Sequence, residues 1–322
     1  MTARSCLADI LVCPSDRTAL TRCDEFLLCQ NGHRFPLVAG IPVLLLDDNE
    51  PTHRTAYNAT REMVETGTWA ESLESTSGQV DSWVQDQVAA TCGRLWKPSR
   101  RRLKHYPIPD FPRRGTGLLL DVGCNWGRWS LAAARSGFRV VGIDPSLPSL
   151  LSAQRVARDL GVSVEYVVGD ARWLPFATGV FDEVFSYSVL QHFSQSDVRT
   201  SLGEVGRVLK AGGTSLVQMP NKWGVVSLYQ QLRRGFRTAR DFQVRYWSLC
   251  ELEGCFEERV GETSIEVEGF FGLGVGAGTV ETVDGLGRAV VIASQVLKRI
   301  SGRMPVLLRV ADSVYVHSRK AS

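Results

Sequence analysis

The sequence lacks any apolar run of the ~18 to 20 residues that a membrane-spanning helix needs, so no such anchor is predicted. Its first residues, MTARSCLADILVC, lack the apolar core and cleavage site of a signal peptide, and we therefore expect a cytoplasmic location. The sequence also lacks a strong excess of either positive or negative charge. The 37 Lys and Arg residues nearly balance the 34 Asp and Glu residues, so overall charge does not favour nucleic acid, and DNA is not predicted as a partner.

Internal repeats and low-complexity tracts are absent as well, and the 44% hydrophobic and 22% charged residues are typical of a soluble globular protein. A chain of 322 residues can bury a full core and accommodates one large domain with an appendage. Eight cysteines in a cytoplasmic chain of this size indicate free thiols or a metal site, because a disulfide framework belongs to small secreted proteins.

The most informative stretch is residues 118–130, LLLDVGCNWGRWS, which predicts a strand, a glycine turn and a helix. Gly123 and Gly127 allow positive φ and a close approach of a ligand to the backbone. The next predicted strand ends at Asp144, a position from which a carboxylate can accept from both hydroxyls of an adenosine ribose. The turn lacks the G-x-G-x-x-G pattern of pyrophosphate sites and follows an acid, Asp121. It therefore favours a ligand with an ammonium and a sulfonium group.

Residues 117–219 resemble the class I S-adenosylmethionine-dependent methyltransferases of the small-molecule type. The resemblance rests on four stretches in order, LLLDVGCNWGRWS, VVGIDPS, VVGDARWLPFATGVFDEVFSYSVLQHF and EVGRVLKAGGTSLVQMPN. It implies an α/β fold with a doubly wound, mostly parallel, seven-stranded sheet, in which the sixth strand is parallel and the seventh antiparallel. It also implies S-adenosylmethionine as the cofactor.

The same resemblance assigns a set of residues to the cofactor. In this family an acid after the third strand accepts from the adenine amino group, and the next backbone N–H meets a ring nitrogen of the adenine. These roles carry over to Asp170 and Ala171, and Arg172 or Trp173 is a candidate cover for the adenine face. The predicted cofactor residues are Asp121, Gly123, Cys124, Asn125, Gly127, Asp144, Pro145, Asp170, Ala171, Arg172, Ser188 and Val189.

The acceptor is expected at the end of the fourth strand, where open α/β sheets bind their ligands. Tyr187, Gln191 and His192 are the candidates to face it. His192 is the best available general base, since an unperturbed histidine titrates near pH 6.5. A structural role, in which His192 caps or packs against the following helix, is the alternative and is slightly favoured.

The chain divides into three predicted segments: a β-ribbon module at 1–48, a helical connecting or lid region at 49–116, and a methyltransferase domain at 117–322 with a helical insertion around 270–312. By resemblance, Tyr57, Trp69 and Trp83 are candidate lid residues. The insertion opens with a glycine-rich turn at 270–278. Its apolar helices allow a peripheral membrane contact, but the sequence shows no strongly basic amphipathic face to support one.

The first module contains a C-x-x-D pair, Cys13 and Asp16, and a C-x-x-x-H pair, Cys29 and His33. Two such pairs separated by strands place four side chains around one tetrahedral ion. The stretch resembles the small zinc ribbon of a methyltransferase activator subunit, which has cysteine where this chain has Asp16. Carboxylate oxygen is a harder zinc ligand than thiolate, so zinc and a metal-free ribbon both remain open.

Three functions compete. The first is a methyltransferase acting on oxygen or nitrogen of a small-molecule, sugar or lipid-linked acceptor. The second is an RNA base methyltransferase, suggested by the ribbon, although YSVLQHF after the fourth strand is not a recognisable RNA-base motif. The third is a catalytically silent scaffold that binds the cofactor or a partner subunit. The sequence favours the first.

Overall fold

A computed structural model describes the chain over residues 7–46, 51–73, 80–91, 103–271 and 285–322. Most of the predicted glycine-rich turn, together with short parts of the predicted ribbon and lid segments, lies outside these described residues. Among the helices that the structure describes, none has the length and apolar character needed to cross a bilayer.

The first described element is a small four-stranded antiparallel sheet preceded by one short helix. Its strands follow one another in sequence order, with β1 against β2, β2 against β3 and β3 against β4. The elements are α1 (Leu7–Ile10), β1 (Leu20–Cys23), β2 (Phe26–Cys29), β3 (Arg34–Val38) and β4 (Ile41–Pro42).

A seven-stranded sheet forms the centre of the molecule, in the order β10-β11-β9-β8-β5-β6-β7. The strands are β5 (Leu118–Val122), β6 (Arg139–Asp144), β7 (Glu165–Val168), β8 (Phe181–Ser186), β9 (Leu209–Pro220), β10 (Glu262–Gly269) and β11 (Ser313–Arg319). Only β11 runs antiparallel to its neighbours. The prediction of a mostly parallel, doubly wound sheet with an antiparallel last strand is confirmed.

The central strands are apolar because helices cover both faces of a parallel sheet. Every residue of β5 is buried, and β6 is buried after its first residue. The helices are α2 (Arg54–Thr66), α3 (Ser82–Thr91), α4 (Arg128–Arg135), α5 (Leu147–Asp159), α6 (Gln195–Val208), α7 (Val225–Arg233), α8 (Leu249–Arg259) and α9 (Gly285–Ser301).

A capping box starts α8, since Ser248 and Glu251 exchange side-chain and backbone hydrogen bonds. After α9 the chain forms a 3-10 helix at Pro305–Val310, and Asp312 then accepts from backbone N–H groups of α7. The described part of the predicted helical region 49–116 contains α2 and α3.

The small sheet packs against the β7 edge of the large sheet. Leu44 donates its backbone N–H to the Val168 carbonyl at 2.8 Å, beside a short parallel bridge from Val43 to the same residue. The guanidinium of Arg17 binds the Glu204 carboxylate at 2.7 Å. The contacts of Val43 and Leu44 cover the exposed edge of β7, which would otherwise present unpaired backbone groups, and the Arg17 ion pair fixes the small sheet to α6.

Candidate active site

A cavity of about 400 Å³ opens at the carboxyl ends of β5, β6, β7 and β8. Most of the predicted cofactor residues line it: Gly123, Cys124, Asn125, Asp144, Pro145, Asp170, Ala171, Ser188 and Val189. His192 lines it as well. The topology explains this convergence, because the ends of parallel strands meet at one edge of the sheet.

The turn after β5 requires its glycine. Gly123 has φ of +76°, and a Cβ at this position would overlap the side chain of Val189. The backbone N–H groups of Gly123 and Cys124 both donate to the carbonyl of Ile143, at 2.8 and 3.1 Å. The turn is thereby bound to the end of β6, and a substitution at Gly123 would displace one wall of the cavity.

Asp144 ends β6 on the cavity wall. One carboxylate oxygen accepts from the Asn125 N–H at 2.9 Å and the other from the Ser146 N–H at 2.9 Å. Burial raises the pKa of Asp144 to about 6. A carboxylate offers about four lone-pair positions, so two remain for donors of a ligand.

Asp170 belongs to a buried polar cluster on the next strand end. The hydroxyl of Tyr57 donates to its carboxylate, and the Arg172 guanidinium binds it at 2.9 Å. Arg172 also reaches Asp197 at 3.1 Å and stacks over the ring of Trp173 at 4.3 Å. Neither Arg172 nor Trp173 is among the residues that line the cavity, and Arg172 holds Asp170 in place; the predicted cover of an adenine face stays a prediction.

Asp121 and Gly127 also lie away from the cavity wall, beneath the turn. Asp121 is only 2% exposed and accepts from the Ser130 hydroxyl at 2.6 Å, and burial raises its pKa to about 7. Gly127 starts α4 at φ of +80°, where a Cβ would lie 2.6 Å from the Tyr166 hydroxyl oxygen. Asp121 is therefore buried under the turn and is not among the residues that line the cavity.

Helix α2 closes one side of the cavity through two polar anchors. Tyr57 is bound to Asp170, and the Thr60 hydroxyl donates to the Pro145 carbonyl at 2.7 Å while accepting from the Leu147 N–H at 2.8 Å. Of the other two predicted lid residues, Trp83 lines the cavity and Trp69 does not; Trp69 packs half-buried against the core below.

His192 has both ring nitrogens engaged. Its Nδ1 lies 2.8 Å from the Phe242 carbonyl, which can only accept, so this nitrogen carries the proton. Nε2 then accepts from the amide of Gln191 at 3.2 Å, and the same amide donates to the Ser188 hydroxyl at 2.7 Å. Burial lowers the pKa of His192 to about 4, so the ring is neutral at physiological pH.

Aromatic rings form the opposite wall. The Phe242 ring stacks on His192 with centroids 3.9 Å apart, and His53 meets Phe242 edge-on at 4.3 Å. Trp129 and Tyr187 pack together at 4.6 Å and also line the cavity. Sequence reasoning named Tyr187 but missed the other three rings. No local signal could have found them, since they come from segments far apart in the chain.

A separate cluster in the small sheet brings together Cys13, Asp16, Cys29 and His33, whose ligand atoms all lie within 4.8 Å of one another. The Nδ1 atom of His33 lies 3.4 Å from Cys13 Sγ, 3.3 Å from Cys29 Sγ and 3.2 Å from Asp16 Oδ2. Asp16 Oδ2 lies 3.5 Å from Cys29 Sγ. The predicted four side chains are therefore adjacent, while Cys23 is exposed at the end of β1.

Comparisons with known proteins agree with this geometry. A family model described as "Methyltransferase domain" matches residues 119–213, a span that includes every predicted cofactor residue. Ubiquinone biosynthesis O-methyltransferase of Azorhizobium caulinodans is 35% identical over 104 residues, which cover 32% of this chain and 40% of that relative. The protein of the same name from Rhizobium johnstonii is 35% identical over 169 residues, which cover 46% of this chain and 67% of that relative.

The chain thus spans from two fifths to two thirds of the length of these relatives. Among solved structures, the YcgJ protein from Bacillus subtilis superposes with a TM-score of 0.45 at 21% identity, covering 66% of this chain and 94% of that one. A likeness at that level says nothing about the reaction.

Proposed function

Because this chain belongs to the family of S-adenosylmethionine-dependent methyltransferases, we propose that it methylates a hydroxyl oxygen of a small aromatic molecule. The observation that supports this acceptor class is that two groups of rings line the cavity: Phe242 with His53, packed on the neutral His192, and the pair of Trp129 and Tyr187. Flat rings of this kind bind a planar acceptor by stacking. The O-methyltransferase names of the relatives favour oxygen over nitrogen.

The residues at the sheet edge fit the cofactor. S-adenosylmethionine supplies the methyl group on a positively charged sulfur when it is bound. Asp144, with two free lone-pair positions, would hold the ribose hydroxyls, and Asp170 and Ala171 would meet the adenine. Asp121 and Asp144 have raised pKa values because burial disfavours their charged forms, and a cationic ligand nearby would restore those charges.

His192 would position the acceptor hydroxyl and accept its proton at Nε2, once the acceptor has displaced the Gln191 N–H from which this nitrogen accepts at 3.2 Å. Its Nδ1–H donates to the Phe242 carbonyl, which fixes both the tautomer and the ring plane. A general base contributes typically about 10² to 10⁴-fold, most when its pKa lies near the working pH. Since the pKa of His192 is about 4, we expect a contribution near the lower end of that range.

The activity test uses a labelled methyl donor with a panel of phenols and amines matched in size. We expect labelled product from phenols, and a loss of about 10²-fold in kcat for His192→Ala with unchanged affinity for S-adenosylhomocysteine. With the methyl donor at a saturating concentration, the pH profile of kcat should lack a limb near 6.5, because His192 is already unprotonated above about pH 4.

His105→Ala is the matched control, since His105 is exposed and does not line the cavity. If His192→Ala keeps kcat within a few-fold of the wild type, His192 is structural. If S-adenosylhomocysteine binds but only amines are labelled, the hydroxyl acceptor is wrong.

We also propose that the cluster of Cys13, Asp16, Cys29 and His33 binds zinc. With ligand distances of about 2.0 to 2.3 Å, the edges of a tetrahedral zinc site measure about 3.3 to 3.8 Å. The observed separations of 3.2 to 3.5 Å are close to these edges. Asp16 is suited to replace a cysteine because Thr18 binds its Oδ1 at 2.7 Å through the hydroxyl and at 3.0 Å through the N–H, which directs Oδ2 toward the other ligands.

Metal analysis of the purified full chain tests this site. We expect about one zinc per chain, lost in Cys29→Ser and retained in Cys23→Ser, whose thiol lies outside the cluster. Asp16→Cys should hold zinc against a chelator longer than the wild type, because thiolate is the softer ligand. Equal, near-zero metal in the wild type and Cys29→Ser would mean that the ribbon folds without a metal.

A further inference from the structure

Nearly all large apolar side chains that are exposed in the described part of the chain fall in two stretches near its C-terminal end. The first is helix α7 with the loop after it, residues 222–240, and the second is α9 with the following 3-10 helix, residues 285–310. The exposed apolar residues of the two stretches are Trp223, Val225, Tyr229, Leu232, Phe236, Leu286, Ile292, Val296, Ile300, Met304, Val306 and Val310. We call these two stretches together the apolar-basic surface.

Helical spacing places these side chains on common faces. Val225, Tyr229 and Leu232 follow at i, i+4 and i+7 of α7, and each is more than half exposed, at 54%, 56% and 57%. On α9, Ile292 and Ile300 are eight residues apart, and they share their face with Val296 between them. Each helix therefore turns an apolar stripe toward solvent, although its other side already packs on the protein.

Every charged residue in both stretches is basic, although basic and acidic residues are nearly balanced, 37 to 34, over the whole chain. The basic residues are Lys222, Arg233, Arg234, Arg237, Arg240, Arg288, Lys298, Arg299, Arg303 and Arg309. The sequence alone did not show this face, because each stretch by itself is only moderately basic and their adjacency depends on the fold.

Hydrogen bonds join the two stretches into one surface. Asp312 accepts from the N–H groups of Val226 and Ser227 at the start of α7, at 2.6 and 2.9 Å. The Asn221 amide donates to the carbonyls of Arg309 and Ala311, at 3.0 and 2.9 Å. The start of α7 is thereby fixed against the chain that follows α9.

The apolar-basic surface also leads to the mouth of the cavity. Arg234, at the end of α7, donates to the carbonyl of Val244 at 3.1 Å, and Arg245 donates its N–H to the carbonyl of Gln191 at 2.8 Å. Phe242 lies between Arg234 and Arg245 in the sequence; it is 48% exposed and stacks on His192.

We propose that the apolar-basic surface docks on an anionic lipid bilayer. Apolar side chains flanked by Lys and Arg are the pattern of an interfacial helix, which buries its apolar face among acyl chains while the cations meet lipid phosphates. RNA would satisfy the cations but leave the aliphatic side chains in water. A second copy of the chain would bring one set of cations against another, at a cost in repulsion. The proposal does not depend on the acceptor or on turnover.

Co-sedimentation of the full chain with vesicles tests the proposal. We expect binding to vesicles of equal parts phosphatidylglycerol and phosphatidylcholine, weaker binding to phosphatidylcholine alone, and release by salt. Leu232→Ser combined with Phe236→Ser, and separately Arg233→Glu combined with Arg237→Glu, should each lower the partition coefficient by about tenfold or more.

Leu28→Ser and Arg22→Glu are the matched controls, because both residues are exposed on the small sheet, outside the apolar-basic surface. All of the substituted side chains are exposed, so we expect each variant to fold, and thermal midpoints verify this. Absence of binding to the anionic vesicles overturns the proposal, as does equal binding by surface variants and controls. Two further results would overturn the proposal if no vesicle binding occurs. One is RNA retention that the same variants abolish, and the other is a dimer in light scattering that they abolish.

Discussion

Replacing Asp144 by Asn is expected to weaken binding of S-adenosylhomocysteine by about 10² to 10⁴-fold in calorimetry. The Asp144 carboxylate lines the cavity and keeps lone pairs for a ribose, and hydrogen bonds to a charged group contribute about 1.5 to 3 kcal/mol each. The variant keeps one acceptor oxygen for the turn, so the fold should survive. Loss of the cofactor would also abolish methyl transfer.

The same carboxylate should make cofactor affinity depend on pH. In the free protein the pKa of Asp144 is raised to about 6, so below that pH the group is protonated and must release its proton before it accepts from two hydroxyls. The dissociation constant should therefore rise about tenfold per pH unit below 6 and level off above it. The free energy of unfolding of the free protein depends on pH in the opposite direction. The folded protein binds the Asp144 proton more tightly than the unfolded chain does, so protonation of Asp144 stabilises the fold at low pH, and this stabilisation is lost as pH rises through 6.

Asp9→Asn is the control for charge removal, since Asp9 is exposed and does not line the cavity. It should leave both the affinity and its pH dependence unchanged. If Asp144→Asn binds S-adenosylhomocysteine within threefold of the wild type, the cavity is not where the ribose is held.

Replacing Asp81 by Ala is expected to lower the free energy of unfolding by about 3 to 5 kcal/mol, as breaking a buried ion pair typically does. Asp81 is only 6% exposed and stands immediately before α3. Its carboxylate binds the Arg155 guanidinium at 2.7 Å and the Ser152 hydroxyl at 2.9 Å, both on α5, and also accepts from the Trp83 N–H at 3.0 Å. One side chain thus starts α3 and fixes it to the core, which places Trp83 on the cavity wall.

Denaturant unfolding at neutral pH measures this effect, and Glu258→Ala is the control. Glu258 pairs with Arg199 at 3.1 Å with both side chains about half exposed, and such a surface pair contributes about 1 kcal/mol or less. The double variant Asp81→Ala with Arg155→Met should recover part of the loss, because it removes the buried cation together with its partner. A loss below about 1 kcal/mol for Asp81→Ala would show that α3 is held by its apolar contacts alone.

The cluster in the small sheet illustrates where a family pattern is a poor guide by itself. Asp16 stands where the resembling ribbon has a cysteine, and the sequence pattern alone does not favour a metal site over a metal-free ribbon. The structure supplies one observation that spacing could not: Thr18 occupies one Asp16 oxygen and leaves the other facing His33 and Cys29.

The sequence by itself determined the central sheet, the glycine turn and the acids at the strand ends. These features depend on residues close together in the chain: the apolar run of β5, the positive φ at Gly123, and Asp144 at the end of the next strand. Parallel strands then bring their ends to one edge whatever the rest of the chain does.

What surrounds that edge depends on how distant segments pack. Asp121 is buried below the turn, Phe242, fifty residues after His192, fixes that histidine's tautomer, and burial lowers the pKa of His192. The attachment of the start of α7 to the chain that follows α9 likewise depends on folding. Burial, dielectric environment and contacts between distant segments are properties of the packed molecule, and local sequence patterns do not encode them.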